Sequence, residues 1–328
     1  MRLDRAALSL LTVGALAAAA GCGAPSATSP AGQASGGTQA SGAKVSVKAN
    51  NGTVEVPANP KRVVALDNTS FQTLQAMGVT PVAVPKQLLP AQAQAWKKDA
   101  DILDVGTHRE PKIEVVDQAQ PDLIVGGKRF VKYTDQLAKV APVVDLAPSV
   151  EKEGYLTALK AQTTELGRIF GKTDVATKLN ADLDAAAAEA KKAGGTKSVF
   201  LANHNGGKID NGAGRIAPLL QPLDMTDVFG KAQGGSEAVH QDSGLAPETV
   251  AQANPDVMVV MDRDAATSTG TASAPASATI AAQKAWANTT FMKNKAIVYL
   301  DPTFYTTEGI QAYTDAYRAL AKTVGQAA

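Results

Sequence analysis

One unit is written twice in this chain. EVVDQAQPDLIVGGKR (114–129) and ETVAQANPDVMVVMDR (248–263) share the frame Glu, six residues, Pro-Asp, six residues, Arg, at an offset of 134. In each copy the glutamate opens or rides a helix that stops at Pro-Asp, because proline lacks a backbone donor and disfavours the helical conformation just before it. The apolar run that follows, 123–125 or 257–261, reads as a buried strand. Each strand therefore delivers an arginine, Arg129 or Arg263, to its carboxyl end. A helix, a strand and a terminal cation written twice predict two α/β lobes, and open α/β sheets collect ligands outside the carboxyl ends of their strands. Facing lobes would bring both arginines into one cleft. The plainer reading is a fold-level repeat whose arginines are solvated strand ends.

The rest of the chain fits two lobes. Stretches 62–66, 82–84 and 143–146 are further strand candidates in the first half, with helices expected over 70–77 and 112–119. In the second half 198–202 and 296–300 are strand candidates. Leu156, Leu159, Leu166, Ile169 and Phe170 share a helical stripe, and Leu179 and Leu183 continue one after Gly171. Strands alternating with helices imply parallel sheets, so the expected fold class is α/β. The expected layout is an N-terminal lobe over 45–150, a connecting helical segment over 151–194 and a C-terminal lobe over 195–328.

The opening MRLDRAALSLLTVGALAAAAGCGAPS pairs Arg2 and Arg5 with an apolar run that is short for a bilayer span. That pattern predicts an export signal over 1–21. It runs into Cys22, the one cysteine of the chain, so no internal disulfide can form. The expectation is a lipid-bearing Cys22; ordinary signal cleavage that leaves a stray thiol is the alternative. Residues 23–44 carry almost no bulky apolar side chain and are expected to form a flexible stalk, since such a segment cannot bury a core. A net charge of +1, with no basic run interleaved with aromatics, excludes a nucleic-acid binder.

Several segments, taken together in order, carry a resemblance. They are VEVPANPKRVVALD (54–67), EPKIEVVDQAQPDLIVGGKR (110–129), DQLAKVAPVVDL (135–146), LGRIFGK (166–172), NGGKIDNGAGR (205–215), NPDVMVVMDRDAA (254–266) and KAIVYLDPTFYTT (295–307). With them the chain resembles the iron-siderophore substrate-binding lipoproteins of ABC importers, in the branch that takes catecholate siderophores of the petrobactin type. The resemblance implies two Rossmann-like lobes with mainly parallel sheets, one long helix joining them, and a cleft between. It further implies a monomer, lipid-anchored on the extracytoplasmic face of the cell membrane, with no cofactor of its own. Its partners would be a ferric siderophore, as transported ligand, and the transmembrane subunits of an ABC permease.

The family's three cleft arginines fall on Arg129, Arg215 and Arg263, with Arg215 in the glycine-rich NGAGR, which follows no convincing strand. Some members complete iron coordination with a histidine and a tyrosine when a tetradentate siderophore supplies too few donors. The matching positions are His240 and Tyr305. His240 stands one residue farther from Glu248 than the family has it, and the loop after Phe304 looks shortened. One acidic residue on the outer surface of each lobe meets permease arginines, and these roles fall on Glu114 and Glu248. Plain solvated helix charges are the alternative for both.

A ferric tris-catecholate spreads a triple negative charge over phenolate oxygens, and arginine offers a permanently charged, rigid fork of donors to match it. Three cations in one closed pocket repel one another without an anion, so the empty cleft is expected to open to water. Rival cargoes on the same scaffold are haem, cobalamin, and hydroxamate or citrate complexes of iron. Haem or cobalamin favours an aromatic-lined pocket, yet aromatic residues make up only 5% of the chain. His108, His204 and His240 are the only histidines, too few for a clustered zinc or manganese site. The chain lacks G-x-S-x-G, H-E-x-x-H and G-x-x-x-x-G-K-[ST], which argues against an exported enzyme. A pure adhesion protein leaves the matched arginines unexplained.

Overall fold

Each copy of the repeated unit folds the same way. Helices Ile113–Gln118 and Pro247–Ala253 lead into left-handed residues, Gln120 (φ 44°) and Asn254 (φ 45°), then Pro-Asp, then a strand. The aspartate of each pair pins the start of the neighbouring strand. Asp122 accepts from the backbone N–H groups of Lys61 and Arg62 at 2.7 and 2.9 Å. Asp256 accepts from the N–H and the hydroxyl of Ser198, both at 2.8 Å. The structure, a computed structural model, describes residues 43–107, 109–149, 153–230, 245–267 and 274–327.

An antiparallel hairpin, β1 (Lys44–Ala49) and β2 (Gly52–Pro57), precedes the first sheet. That sheet holds β3 (Val63–Ala65), β4 (Ala83–Val84), β5 (Leu103–Asp104), β6 (Leu123–Gly126) and β7 (Val143–Asp145) in the order β5-β4-β3-β6-β7, all parallel. The second sheet holds β8 (Ser198–Asn205), β9 (Lys208–Asn211), β10 (Thr226–Asp227), β11 (Val257–Asp262) and β12 (Ile297–Tyr299). Its parallel order is β10-β8-β11-β12, with β9 antiparallel to β8. The hairpin, β5, β9 and β10 lie outside the expected strands. Very short strands and a half-exposed hairpin leave little apolar pattern to read. β9 also corrects the reading of NGAGR: a strand does precede it, and Arg215 rides the helical turn Ala213–Ile216 rather than a loop.

The helix Tyr155–Ile169 joins the two lobes through their cores. Tyr155 and Leu159, near its start, belong to the apolar core of the second sheet, whereas Leu166 and Ile169 belong to that of the first. At about 1.5 Å per residue this helix spans roughly 22 Å, enough to reach from one core to the other. Gly171, at φ 62°, ends it, and the chain returns along Thr173–Gly194. That helix and the C-terminal Ile310–Gln326 pack together on the second sheet through Leu183, Ala186, Ala190, Tyr317, Leu320 and Val324. Among the described residues no helix is long and apolar enough to cross a membrane.

Candidate functional site

The strand order places a switch point in each sheet, and each repeat arginine sits on one. In the first sheet the order reverses between β3 and β6, whose carboxyl ends run into Asn68 and Arg129. The Arg129 Nε donates to Asn68 Oδ1 at 3.4 Å. In the second sheet the reversal lies between β8 and β11, and Arg263 Nη1 donates to Asn205 Oδ1 at 2.5 Å. Crevices at such reversals are where open α/β sheets bind ligands. The turn that carries Arg129 needs Gly127: at φ 139°, an added Cβ would meet Ala147 Cβ at 2.8 Å and an Asp145 carboxylate oxygen at 2.9 Å. Lys128 follows in the left-handed region at φ 29°.

Tyr305, in the short helix Thr303–Thr307, gathers the C-lobe arginines. The Arg215 guanidinium carbon lies 4.3 Å from the Tyr305 ring centre and that of Arg263 5.7 Å, both within cation–π range. Arg263 Nε donates to the Tyr305 hydroxyl at 3.1 Å, and Arg215 Nη2 donates to the Tyr305 carbonyl at 3.0 Å. The N-lobe closes onto the same helix. Asn68 Nδ2 donates to the carbonyls of Thr306 and Thr307, each at 3.0 Å. Arg129, Asn68, Tyr305 and Thr306 line one small space, so the arginine from the first lobe reaches the Tyr305 helix of the second and feels the Arg215 charge.

Between the lobes lies a carboxylate that sequence reasoning passed over. Glu308, only 5% exposed, accepts from Arg215 Nε at 2.6 Å and from Lys128 Nζ at 3.1 Å. Burial works to raise its pKa, but the charges of Lys128 and Arg215 outweigh that and leave the carboxyl below its ordinary value. Burial likewise depresses the Arg215 guanidinium, and Glu308 more than restores it. Among the described residues Arg129 forms no ion pair: burial lowers its pKa, the Arg215 charge lowers it further, and Glu308 and Tyr305 offset only part. The expectation of three cations repelling one another across an empty cleft leaves out this counterion. One buried anion already stands inside the cluster. The only sequence clue was Glu308-Gly309 at a helix end, one residue past the last matched segment.

Behind Arg263, His204 is fully buried, with Nδ1 2.8 Å from Asp262 and Nε2 3.2 Å from the Thr279 hydroxyl. Asp262 also accepts from the N–H groups of Ala265 and Ala276 at 3.0 and 3.1 Å. This clasp fixes the strand end that presents Arg263. Glu114 and Glu248 are exposed in the first turns of matching helices. Each helix precedes the strand that carries its arginine, so the two glutamates hold matching positions in the two lobes. Cys22, His108, His240 and the segments 1–21 and 23–42 lie outside the described residues.

A larger cavity of about 620 Å³ adjoins the Arg263 switch point, lined among others by Asn205, Gly206, Lys208, Pro247 and Trp286. None of the three arginines lines it. The space beside Arg129 is only about 20 Å³.

A family model for periplasmic binding proteins matches residues 63–303. The chain belongs to that family. Among its relatives, the petrobactin-binding protein YclQ of Bacillus subtilis is 32% identical over 269 residues, covering 79% of this chain and 80% of that one. The ferric-anguibactin-binding protein FatB of Vibrio anguillarum is 27% identical over 222 residues, 66% of this chain and 68% of FatB. The crystal structure of YclQ matches with a TM-score of 0.73 at 25% identity, covering 86% of this chain and 99% of that one. The periplasmic catecholate-siderophore binding protein VctP of Vibrio cholerae matches with a TM-score of 0.74 at 25% identity, covering 85% and 99%. The fold expected from sequence, two α/β lobes on a connecting helix, is the fold of the family.

Proposed function

We propose that this member of the periplasmic binding protein family captures a ferric siderophore of the catecholate class and delivers it to an ABC permease, without catalysing a reaction. The observation that carries the reading is the convergence of Arg129, Arg215 and Arg263 around Tyr305 at two facing switch points. The names of YclQ and VctP point to the same cargo class. Charge-assisted donors in a fixed fork suit oxygens that share a dispersed negative charge. Tyr305, held by Arg263, is one candidate to complete iron coordination when the siderophore leaves positions open, and His240 is the other. In this reading Cys22 carries the lipid that holds the protein on the outer face of the membrane, residues 23–44 are its tether, and Glu114 and Glu248 meet the permease. Calorimetric titration of the protein with ferric catecholate, hydroxamate and citrate complexes tests the cargo. Tight binding of the catecholate alone supports the reading, and preference for an uncharged hydroxamate complex overturns it.

A further inference from the structure

Glu308 is held in place from every side. It occupies the left-handed region at φ 52°, at the end of the Tyr305 helix, where glycine is the usual residue. Its N–H donates to the Phe304 carbonyl at 3.0 Å, and its own carbonyl accepts from the Tyr155 hydroxyl of the connecting helix at 2.9 Å. Its carboxylate partner from the other lobe, Lys128, is left-handed as well. Unfavourable backbone on both sides of one ion pair persists only where the surroundings over-determine it, and such positions cluster at ligand sites. A side chain that merely filled space would not need a buried charge here.

We propose that Glu308 is a specificity-determining residue of the cleft: a built-in anion that neutralises part of the cation cluster and penalises each cargo in proportion to its negative charge. This rests on the proposed cargo class. Glu308 takes the Nε of Arg215 and the ammonium of Lys128, so an arriving anion finds those donors already engaged. The anion also meets a like charge at close range, and that repulsion grows with cargo charge. The same carboxylate stabilises the empty protein, where unscreened cations would otherwise face one another. Glu308 thereby keeps the most highly charged complexes from binding too tightly to be handed on.

Glu308→Gln separates charge from shape, because the amide oxygen can still accept from Arg215. Wild type and variant full-length protein are titrated with two ferric probes. One is the trianionic complex of a hexadentate tris-catechol ligand, and the other the singly charged complex of a tetradentate bis-catechol ligand. The variant is expected to gain roughly tenfold in affinity for the trianion and only roughly twofold for the monoanion, with a lower melting temperature when empty. If the empty variant is already unfolded at the titration temperature, the same preference is read from the rise in melting temperature that each complex produces. Equal gains for the two probes, or a loss for the trianion, would leave Glu308 as a strut that orients Arg215 and overturn the inference alone. Failure of wild type to bind either probe would overturn the cargo assignment and this inference together.

Discussion

Arg263 and Asn205 close the switch point of the second sheet with a 2.5 Å hydrogen bond, and Arg129 and Asn68 repeat the arrangement, more loosely, in the first. The two asparagines stand at or just past the ends of β8 and β3, each the strand next to the one that carries the arginine. The duplication visible in sequence thus extends to a partner that the sequence frame does not contain. In each lobe an amide fixes one edge of a guanidinium and leaves donors to spare. Asn68 is also bonded to the Tyr305 helix, so the first arginine is positioned against the second lobe as well as within its own.

Replacing any one of Arg129, Arg215 or Arg263 by Ala is expected to weaken binding of a trianionic ferric catecholate. Loss of a charge-assisted partner costs about 1.5–3 kcal/mol, or roughly ten- to a hundredfold in affinity. Lysine at these positions should recover part of the loss, since it keeps the charge but not the fork. Double variants should be non-additive because all three side chains meet around one residue, Tyr305. Calorimetric titration of the single and double variants checks this, and three unchanged affinities would return the arginines to solvated strand ends.

Asp256→Ala should cost stability and spare binding. Its carboxylate satisfies both the N–H and the hydroxyl of Ser198 where β8 begins, at the opposite end of the sheet from Arg263. Stranding those donors is expected to cost about 1–3 kcal/mol. Urea unfolding curves should show a lower midpoint at unchanged slope, while cargo affinity stays within about a factor of two. A binding loss larger than the stability loss would assign Asp256 to the cleft.

The lobes, the parallel strands and the two repeat arginines were legible because each leaves a local trace: an apolar run, a helical stripe, a repeated frame; Arg215 came only with the family resemblance. The site's counterion was not. Glu308 lies 93 residues from Arg215 and 180 from Lys128, and only folding brings them together. Asn68 and Asn205 escaped notice for the same reason, and β9 escaped because KIDN lacks the alternation that marks a strand. Sequence pattern reports which face a residue turns to the core. It does not report which charge stands opposite.

Glu114→Ala and Glu248→Ala should leave cargo affinity unchanged and slow uptake through the permease. Both side chains are exposed at the same helical position in the two lobes, and neither is bonded to the arginines. Binding by the purified variants and uptake by cells expressing them, measured side by side, decide the matter. Normal uptake in the double variant would leave these glutamates as solvated charges.

Asp67 predicts a pH dependence that runs against the usual acid trend. Burial raises its pKa from 3.8 to about 6, although hydrogen bonds from the Thr69 hydroxyl and N–H act to lower it. The folded protein therefore holds a proton near pH 5 that the unfolded chain releases. This contribution is fully present below about pH 4 and is lost as pH rises through 6, amounting to about 3 kcal/mol at most. Asp67→Asn removes the titration, so the stability of wild type relative to the variant should fall between pH 4 and 7. Urea midpoints for both proteins across that range test it, and parallel profiles would place the Asp67 pKa at its unfolded value.

Gly309 packs directly against the backbone of the other lobe. Its φ of −85° suits any residue, so the requirement for glycine is spatial: a Cβ there would collide with the Thr69 carbonyl oxygen of the other lobe. Thr69 cannot yield alone, because its hydroxyl and N–H are tied to Asp67 and its neighbour Asn68 is bonded to Thr306 and Thr307. Gly309→Ala should therefore wedge the lobes apart and cost about 1–3 kcal/mol of stability, the range for overpacking a tight site. Separation at this point also carries Arg129 away from Tyr305 and Lys128 away from Glu308, so cargo affinity should fall with stability. Gly325→Ala is the control: it lies in the last turn of the C-terminal helix with the nearest outside atom at 4.0 Å. There alanine favours the helix and should stabilise the protein by about 0.5–1 kcal/mol without touching binding. A Gly309→Ala protein that melts and binds as wild type does would show that the lobes shift past each other freely at this contact, and that the cleft does not depend on it.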